Sequence, residues 1–336
     1  MKNRRLKARI RCYTFAAAAL CALSFPWRAA PRAEDAPAAH QPPAAPAAES
    51  AWYAYDSKTP LDAAVTDEKD GEGFKVIGFS FVNLEGERVP GVMTLPAGGG
   101  HAPPFPVVVM MHGYMQDKAN FIFAGLYEPF SERGIATVAI DLPSHGGREG
   151  NLVEDFNDLD RAEATFRRAV FDVFRTFDFV ETREELDATR IGYFGISMGA
   201  IVGAIACGAD ERVKTAVFTL GGGGLDCLFK GIKLGGTAKI KEIAAANPGL
   251  LEEKLGYFDP LEFVSRLAPR PVLFYNVEDD QVVPRECAEK FHAAAGEPKK
   301  VVWQKSGGHL FFPNQIKPHA MEWYEKHLIA PAEAGE

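Results

Sequence analysis

From residue 74 onward, short apolar runs alternate with segments whose apolar residues recur at helical spacing. Residues 75–82 and 88–95 read as two strands joined by the turn Glu85-Gly86-Glu87, an antiparallel opening pair. Residues 106–111, with Val107-Val108-Val109 inside them, and residues 135–140 are continuous apolar runs, as expected of strands buried on both faces. The stretch 120–133 between them reads as a helix. Residues 159–185 read as a long helix, because Phe166, Val170, Val173, Phe174, Phe177 and Val180 form one stripe and charged residues take the other positions. Further strands are expected over 191–194, 213–220, 271–277 and 300–303. Further helices are expected over 198–207, 286–295 and 315–327.

This repeated strand–helix order predicts an α/β fold with a mostly parallel central sheet and helices on both faces. Reactive groups in such sheets collect beyond the carboxyl ends of the strands. Residues 221–256 break the rhythm. They are Gly-rich and partly helical, and read as a short cap inserted over that edge.

The N-terminus follows other rules. Lys2, Arg4, Arg5, Lys7, Arg9 and Arg11 precede an apolar run over 12–26, the layout of a secretory signal peptide. The run is short for a membrane span, and an uncleaved N-terminal anchor is the alternative. Residues 31–48 are mostly Ala and Pro and read as a linker. The expected organisation is therefore a signal peptide or anchor over 1–30, a linker over 31–51, and one domain over 52–330, in a secreted or periplasmic protein.

Charge and cysteine content narrow the partners. The formal net charge of the whole chain is −8, yet the first 33 residues hold eight Lys and Arg and no acid. The remainder carries 29 basic and 45 acidic residues, a charge of −16, which argues against nucleic acid as a partner. Outside the leader stand Cys207, Cys227 and Cys287, an odd number without metal-like spacing. One disulfide is compatible with an oxidising compartment, and none is demanded.

The chemistry centres on Gly195-Ile196-Ser197-Met198-Gly199, a G-x-S-x-G pattern between an expected strand and an expected helix of small residues. Such a turn lifts the Ser197 hydroxyl above the sheet edge, and the helix beginning at Met198 aims amide groups at the reacting oxygen. A serine hydroxyl needs a base. His309, in Ser306-Gly307-Gly308-His309-Leu310 after the last strand, is placed to serve, whereas His292, His319 and His327 fall within helices and read as surface residues. The base in turn needs a carboxylate. Glu278, Asp279 and Asp280 compete; Asp280, ahead of Gln281-Val282-Val283-Pro284, is favoured over Asp279. His112-Gly113-Tyr114 follows the strand over 106–111, so the amides of Tyr114 and Met198 are the expected oxyanion donors, with His112 orienting the loop. In Asp141-Leu142-Pro143-Ser144-His145-Gly146, His145 reads as part of a structural turn, with substrate contact as the alternative. No metal and no organic cofactor is required by this set.

Taken together, His112-Gly113-Tyr114, the stretch 141–146, Gly195 to Gly199, Pro269-Arg270-Pro271-Val272-Leu273, the stretch 280–284 and Gly307-Gly308-His309 resemble the α/β-hydrolase superfamily. Phe258-Asp259-Pro260 and the stretch 184–192 are similar to its dienelactone-hydrolase-like and acetyl-xylan-esterase-like branch. The resemblance spans about residues 74–328. It implies the α/β-hydrolase fold, a triad of Ser197, Asp280 and His309, and cleavage of an ester or related acyl bond in a small-molecule or carbohydrate-linked substrate. Dienelactone hydrolases proper use cysteine where this chain has Ser197, which shifts the expectation to ordinary esters. A peptidase or amidase of the prolyl-oligopeptidase-like type uses the same triad, but its β-propeller has no counterpart here. A non-catalytic binding protein on the same fold is the third class.

Overall fold

The computed structural model of the chain describes residues 53–231, 238–247, 249–310 and 313–329. The expected signal peptide or anchor and the linker lie outside these residues.

Among the described residues the strands form one nine-stranded sheet, ordered β1-β2-β3-β5-β4-β6-β7-β8-β9. Its first part is antiparallel: β1 (Ala64–Asp70), β2 (Phe74–Val82) and β3 (Arg88–Pro96), with β3 against β5 (Ala136–Ile140). The rest is parallel: β5, β4 (Phe105–Met111), β6 (Leu186–Ile196), β7 (Val213–Thr219), β8 (Val272–Val277) and β9 (Lys299–Gln304). The mostly parallel sheet is as expected. Strand β1 was not legible, because every one of its residues is exposed and its sequence Ala-Val-Thr-Asp-Glu-Lys-Asp shows no apolar face. It is a charged edge strand, a composition that discourages pairing with other chains.

Strand β4 explains why its sequence is apolar throughout. Val107, Val109 and Met111 enter the core on one face, while Val108 and Met110 enter the core on the other. The helices that cover these faces, in chain order, are α1 (Asn120–Phe123), α2 (Tyr127–Ser131), α3 (Leu152–Asp155), α4 (Leu159–Glu181) and α5 (Met198–Ala209). They continue with α6 (Leu225–Gly231), α7 (Ala238–Ala246), α8 (Leu250–Leu255), α9 (Pro260–Val264), α10 (Arg285–Ala294) and α11 (Pro313–Tyr324). Helices α4, α5 and α10 supply the first core with Phe174, Phe177, Ala200 and Phe291. Helices α2 and α11 supply the second with Phe130, Ile316, Trp323 and Tyr324.

Two expected helices are corrected. The stretch 120–133 is not one helix but two short ones, because Gly125 adopts φ +58° and turns the chain between them. Helix α4 starts where the pattern puts it, with the Asp158 carboxylate capping the Arg161 amide at 3.0 Å, but stops at Glu181 rather than 185. There the Thr182 hydroxyl donates to the Phe179 carbonyl at 2.7 Å, and the chain turns into β6. That strand is longer than expected, since Leu186 already pairs with Phe105.

The described chain is tied down at its start by Tyr53 and Tyr55. Tyr55 stacks on Phe174 with ring centroids 5.6 Å apart, and Tyr53 meets Phe263 edge-on at 5.1 Å.

A third correction concerns His292, which is buried rather than on a helix surface. Its ring packs against Phe274 and Trp303, and its Nε2 lies 2.9 Å from the Asn276 side-chain oxygen. Burial, aided by Lys299, pushes its pKa down to about 4, and burial does the same for His112 at the end of β4. Both imidazoles are neutral in the fold yet bind a proton near 6.5 once unfolded. Stability is therefore complete above about pH 6.5 and is lost as pH falls toward 4. Asp172, whose burial raises its carboxyl to about 6 against the pull of Arg148, acts in the opposite sense over the same interval. The two histidines together outweigh it, so the unfolding free energy is expected to drop by about 2–3 kcal/mol between pH 8 and pH 5. Urea melts at the two pH values measure this, and His292→Gln is expected to remove most of the drop, since Asp172 then offsets the greater part of what His112 alone contributes. Equal stability at both pH values would contradict it.

Candidate active site

Strand β6 ends at Ile196, helix α5 begins at Met198, and Ser197 between them sits at φ +53°, ψ −113°. Such a conformation is costly for a residue with a Cβ, on the order of 1–3 kcal/mol, and persists only where the surroundings impose it. Here they do. The Ser197 amide donates to the Thr219 carbonyl at 2.8 Å, and the Thr219 hydroxyl donates to the Gly195 carbonyl at 3.0 Å. The flanking glycines are required by space: a Cβ on Gly195 would lie 2.5 Å from the Gly199 carbonyl oxygen, and one on Gly199 would lie 2.2 Å from that of Met111. The small residues let strand, turn and helix approach this closely, and the result presents the Ser197 side chain beyond the carboxyl edge of the sheet.

His309 and Asp280 meet it there. Ser197 Oγ lies 2.7 Å from His309 Nε2, and His309 Nδ1 lies 2.7 Å from Asp280 Oδ2. The other Asp280 oxygen accepts from the amides of Val282 at 2.8 Å and Val283 at 3.0 Å. An acceptor-only carboxylate at Nδ1 makes that nitrogen the donor, so Nε2 turns its lone pair to the serine hydroxyl. The Asp280 side chain is nearly fully buried, while that of His309 keeps 17% of its surface exposed.

The competition among the three acids ends in a division of labour. Glu278 faces solvent. Asp279 does not reach the imidazole; its Oδ1 accepts from the amides of Gly307 at 2.9 Å and Gly308 at 2.7 Å. It thereby pins the glycine turn that carries His309, in which Gly308 adopts φ +62°.

The loop after β4 stands against the serine. A Cβ on Gly113 would lie 3.3 Å from Ser197 Cβ. The Gly113 amide is engaged by the Gln116 side-chain oxygen at 3.0 Å, and the Gly113 carbonyl accepts from His112 Nδ1 at 2.9 Å. His112 Nε2 accepts from the Leu142 amide at 3.1 Å, so this histidine joins two loops and holds no free nitrogen toward Ser197. Met198 is the first residue of α5, and its amide belongs to the helix end whose donors lack intrahelical acceptors. His145 forms part of the turn after β5. Its Nδ1 lies 2.7 Å from the Pro143 carbonyl and its ring stands 4.9 Å from that of His112. Sequence reasoning passed over what anchors these loops to one another. Asp141, with no side-chain exposure, accepts from Lys118 Nζ at 2.7 Å and from the amides of Lys118 and Gly147. An isolated Asp and Lys 23 residues apart give no sequence signal of such a pair.

Two hollows of different character open on Ser197 and Tyr114. On the His309 side the lining is mixed, with Gly113, Gln116 and His309 beside Ile196 and Leu220. On the other side it is apolar, floored by Met198 and Ile201 of α5 and walled by Leu228 and Phe229 of α6. Phe156, Phe166 and Phe258 close it. Residues 221–256 thus contribute α6, α7 and α8, two of which, α6 and α8, stand over the carboxyl edge beside Ser197. A disulfide between Cys227 and Cys287 ties α6 to α10 across a sequence separation of 60, leaving Cys207 buried and unpaired. Closing a loop of that length removes chain entropy worth up to about 4 kcal/mol. Among the described residues, no group of three or more His, Cys, Asp or Glu side chains is placed to hold a metal ion, and no helix is long and apolar enough to cross a membrane.

Known proteins carry the same framework. The chain is 21% identical over 253 residues to the polyketide transferase ATR5 of Stachybotrys chlorohalonatus, covering 61% of this chain and 82% of that protein. It is 22% identical over 254 residues to the esterase YjfP of Escherichia coli K12, covering 71% of this chain and 96% of that one. Among solved structures, the acetyl xylan esterase from Paenibacillus sp. R4 superposes with a TM-score of 0.67 at 23% identity, over 84% of this chain and 92% of the other. At such identities the structural likeness concerns the fold alone. The sequence profile of the alpha/beta hydrolase family, however, matches residues 108–321, well over half the chain, from within β4 to within α11, and the protein belongs to that family.

Proposed function

We propose that this protein is a serine hydrolase that cleaves carboxylic esters through an acyl-enzyme. The observation that carries the reading is the continuous hydrogen-bonded series from Ser197 through His309 to Asp280, built on a strained turn. His309 Nε2 takes the Ser197 proton as Oγ attacks the ester carbonyl, and Asp280 holds the imidazole in that tautomer and stabilises its cation. The amides of Met198 and Tyr114 bind the oxyanion, each contributing roughly 3 kcal/mol to the transition state. His309 then protonates the departing alcohol. Water, deprotonated by the same nitrogen, releases the acid and restores Ser197. Acylaminoacyl peptidases share this fold too, but they are covered over only 43–44% of their length against 88–92% for the acetyl xylan esterases, which supports esters over amides.

An extracellular or periplasmic location is part of this reading. The basic and apolar leader supports it, as does the disulfide between Cys227 and Cys287, a bond favoured in oxidising compartments.

The test is covalent. A fluorophosphonate probe is expected to label the protein once, on the peptide containing Ser197, and matched nitrophenyl ester and nitroanilide substrates are expected to show a clear preference for the ester. An unlabelled Ser197 in folded protein would overturn the reading; faster turnover of the anilide would turn it toward a peptidase.

Asp279 enters as a positioning residue. Asp279→Ala frees the glycine turn beneath His309 and is expected to lower kcat about tenfold with little change in KM, the loss of one to two hydrogen bonds' worth of orientation. Asp279→Asn keeps an oxygen for the Gly307 and Gly308 amides and is expected to recover most of that activity. Equal kcat in both variants and the wild type would show that the turn needs no such anchor.

A further inference from the structure

The direction of proton delivery sorts the two hollows beside Ser197. His309 must protonate the leaving oxygen, so the alcohol half of the ester lies on the side of His309, in the mixed hollow with Gly113 and Gln116. The acyl half then points away from His309, into the other hollow. Among the described residues that line the latter, the only side-chain polar groups are the hydroxyls of Ser197 and Tyr114. Nothing there carries a charge or an amide able to meet a sugar, a carboxylate or an amine. An uncompensated polar group buried in such surroundings costs several kcal/mol, whereas each methylene moved from water into them gains a factor of about four.

The hollow is also held in shape. The Asp259 carboxylate accepts from the amides of Gly224 and Leu225 at the start of α6 and from that of Leu261 in α9, at 2.9–3.0 Å. The disulfide fixes the same helix to α10, and Leu228 packs with Ile201, Val283 and Cys287 in one small core. A wall anchored at Gly224, Leu225 and Cys227 selects by size rather than yielding to whatever enters.

From this, and resting on the ester-hydrolase reading, we propose that the acyl group is an apolar chain well beyond acetyl, seated between α5 and α6, with Ile201 and Leu228 setting its length. An alkyl chain longer than the single methyl of acetyl matches the chemistry of the lining.

The experiment holds the leaving group constant and varies the acyl group: kcat/KM for p-nitrophenyl acetate, butyrate, hexanoate and octanoate, with fluorophosphonate labelling to certify a folded, reactive site. The expected result is a rise from acetate to hexanoate or octanoate of at least about tenfold, part of the roughly fourfold per methylene that full burial would give. Ile201→Trp and Leu228→Trp narrow the hollow from two different walls, and in each the octanoate-to-acetate ratio is expected to fall about tenfold or more. Acetate as the best substrate of the wild type, or an unmoved ratio in variants that still label, overturns the proposal. Labelled protein that turns over none of these esters overturns the ester reading itself.

Discussion

Ser197→Ala is expected to lower kcat on a short acyl nitrophenyl ester by roughly four to six orders of magnitude, because nucleophile and base act as a unit and removing either leaves only the binding and oxyanion contributions. The substitution takes away one atom. The positive φ at Ser197 is imposed by β6, α5 and the Thr219 carbonyl, and those contacts are made by backbone. The stability change is therefore expected to stay within about 1 kcal/mol, the scale of the lost hydrogen bond to His309. Circular dichroism melts beside steady-state kinetics and probe labelling separate the two effects. A variant that folds and keeps more than about one per cent of the wild-type kcat would sink Ser197 as the nucleophile.

Gly199→Ala is expected to do the reverse: little change in chemical groups and a large loss of structure. The new Cβ would fall 2.2 Å from the Met111 carbonyl oxygen, 2.6 Å from its carbon and 2.7 Å from the His112 carbonyl oxygen. All three are backbone atoms at the end of the central strand, where no side chain can swing aside. Relief requires α5 to move away from β4 by on the order of an ångström, which costs several kcal/mol in a close-packed interior. The same movement separates Ser197, at the head of α5, from the loop that begins at Gly113. We expect a destabilisation of about 3 kcal/mol or more by urea denaturation and, in the protein that remains folded, a fall in kcat of about a hundredfold, the scale of one displaced oxyanion donor. Native stability and activity in this variant would show that the packing around the elbow is looser than the structure has it.

The parts of the fold that were legible are those whose residues carry their own environment with them. Strands β4 and β5 are apolar on both faces because both faces are covered, and helix α4 shows a stripe although residues 169–180 are buried all round, its charged residues there included. The site was legible for a related reason: Ser197, Asp280 and His309 each stand at the end of a strand or just past it, so their order and spacing follow the topology. What escaped the sequence is set by neighbours remote along the chain. His292 looks like any polar residue of a helix, and only Phe274, Asn276 and Trp303 from two adjacent strands bury it. Cys227 and Cys287 pair because packing brings their Cα atoms within 5.6 Å. The separate task of Asp279 is decided by two amides nearly thirty residues away. The apolar hollow draws its walls from α4, α5, α6 and α8 and from Phe156 just past α3, and no one of these segments announces it.

The strand order has a kinetic corollary. The two chain partners of the central strand, β5 and β6, begin 29 and 79 residues after Val107 at different registers, with Val107 opposite Ala136 on one side and Ile191 on the other. The reactive groups sit at the tips of β4, β6, β8 and β9, so they converge only after these distant pairings have closed. Sheets of this kind spend loop entropy before contacts reward it, which makes them slow to form. The site consequently belongs to the last stage of folding: no fragment ending before His309 can hold it, and recovered hydrolase activity after dilution from denaturant would time the completion of the whole sheet.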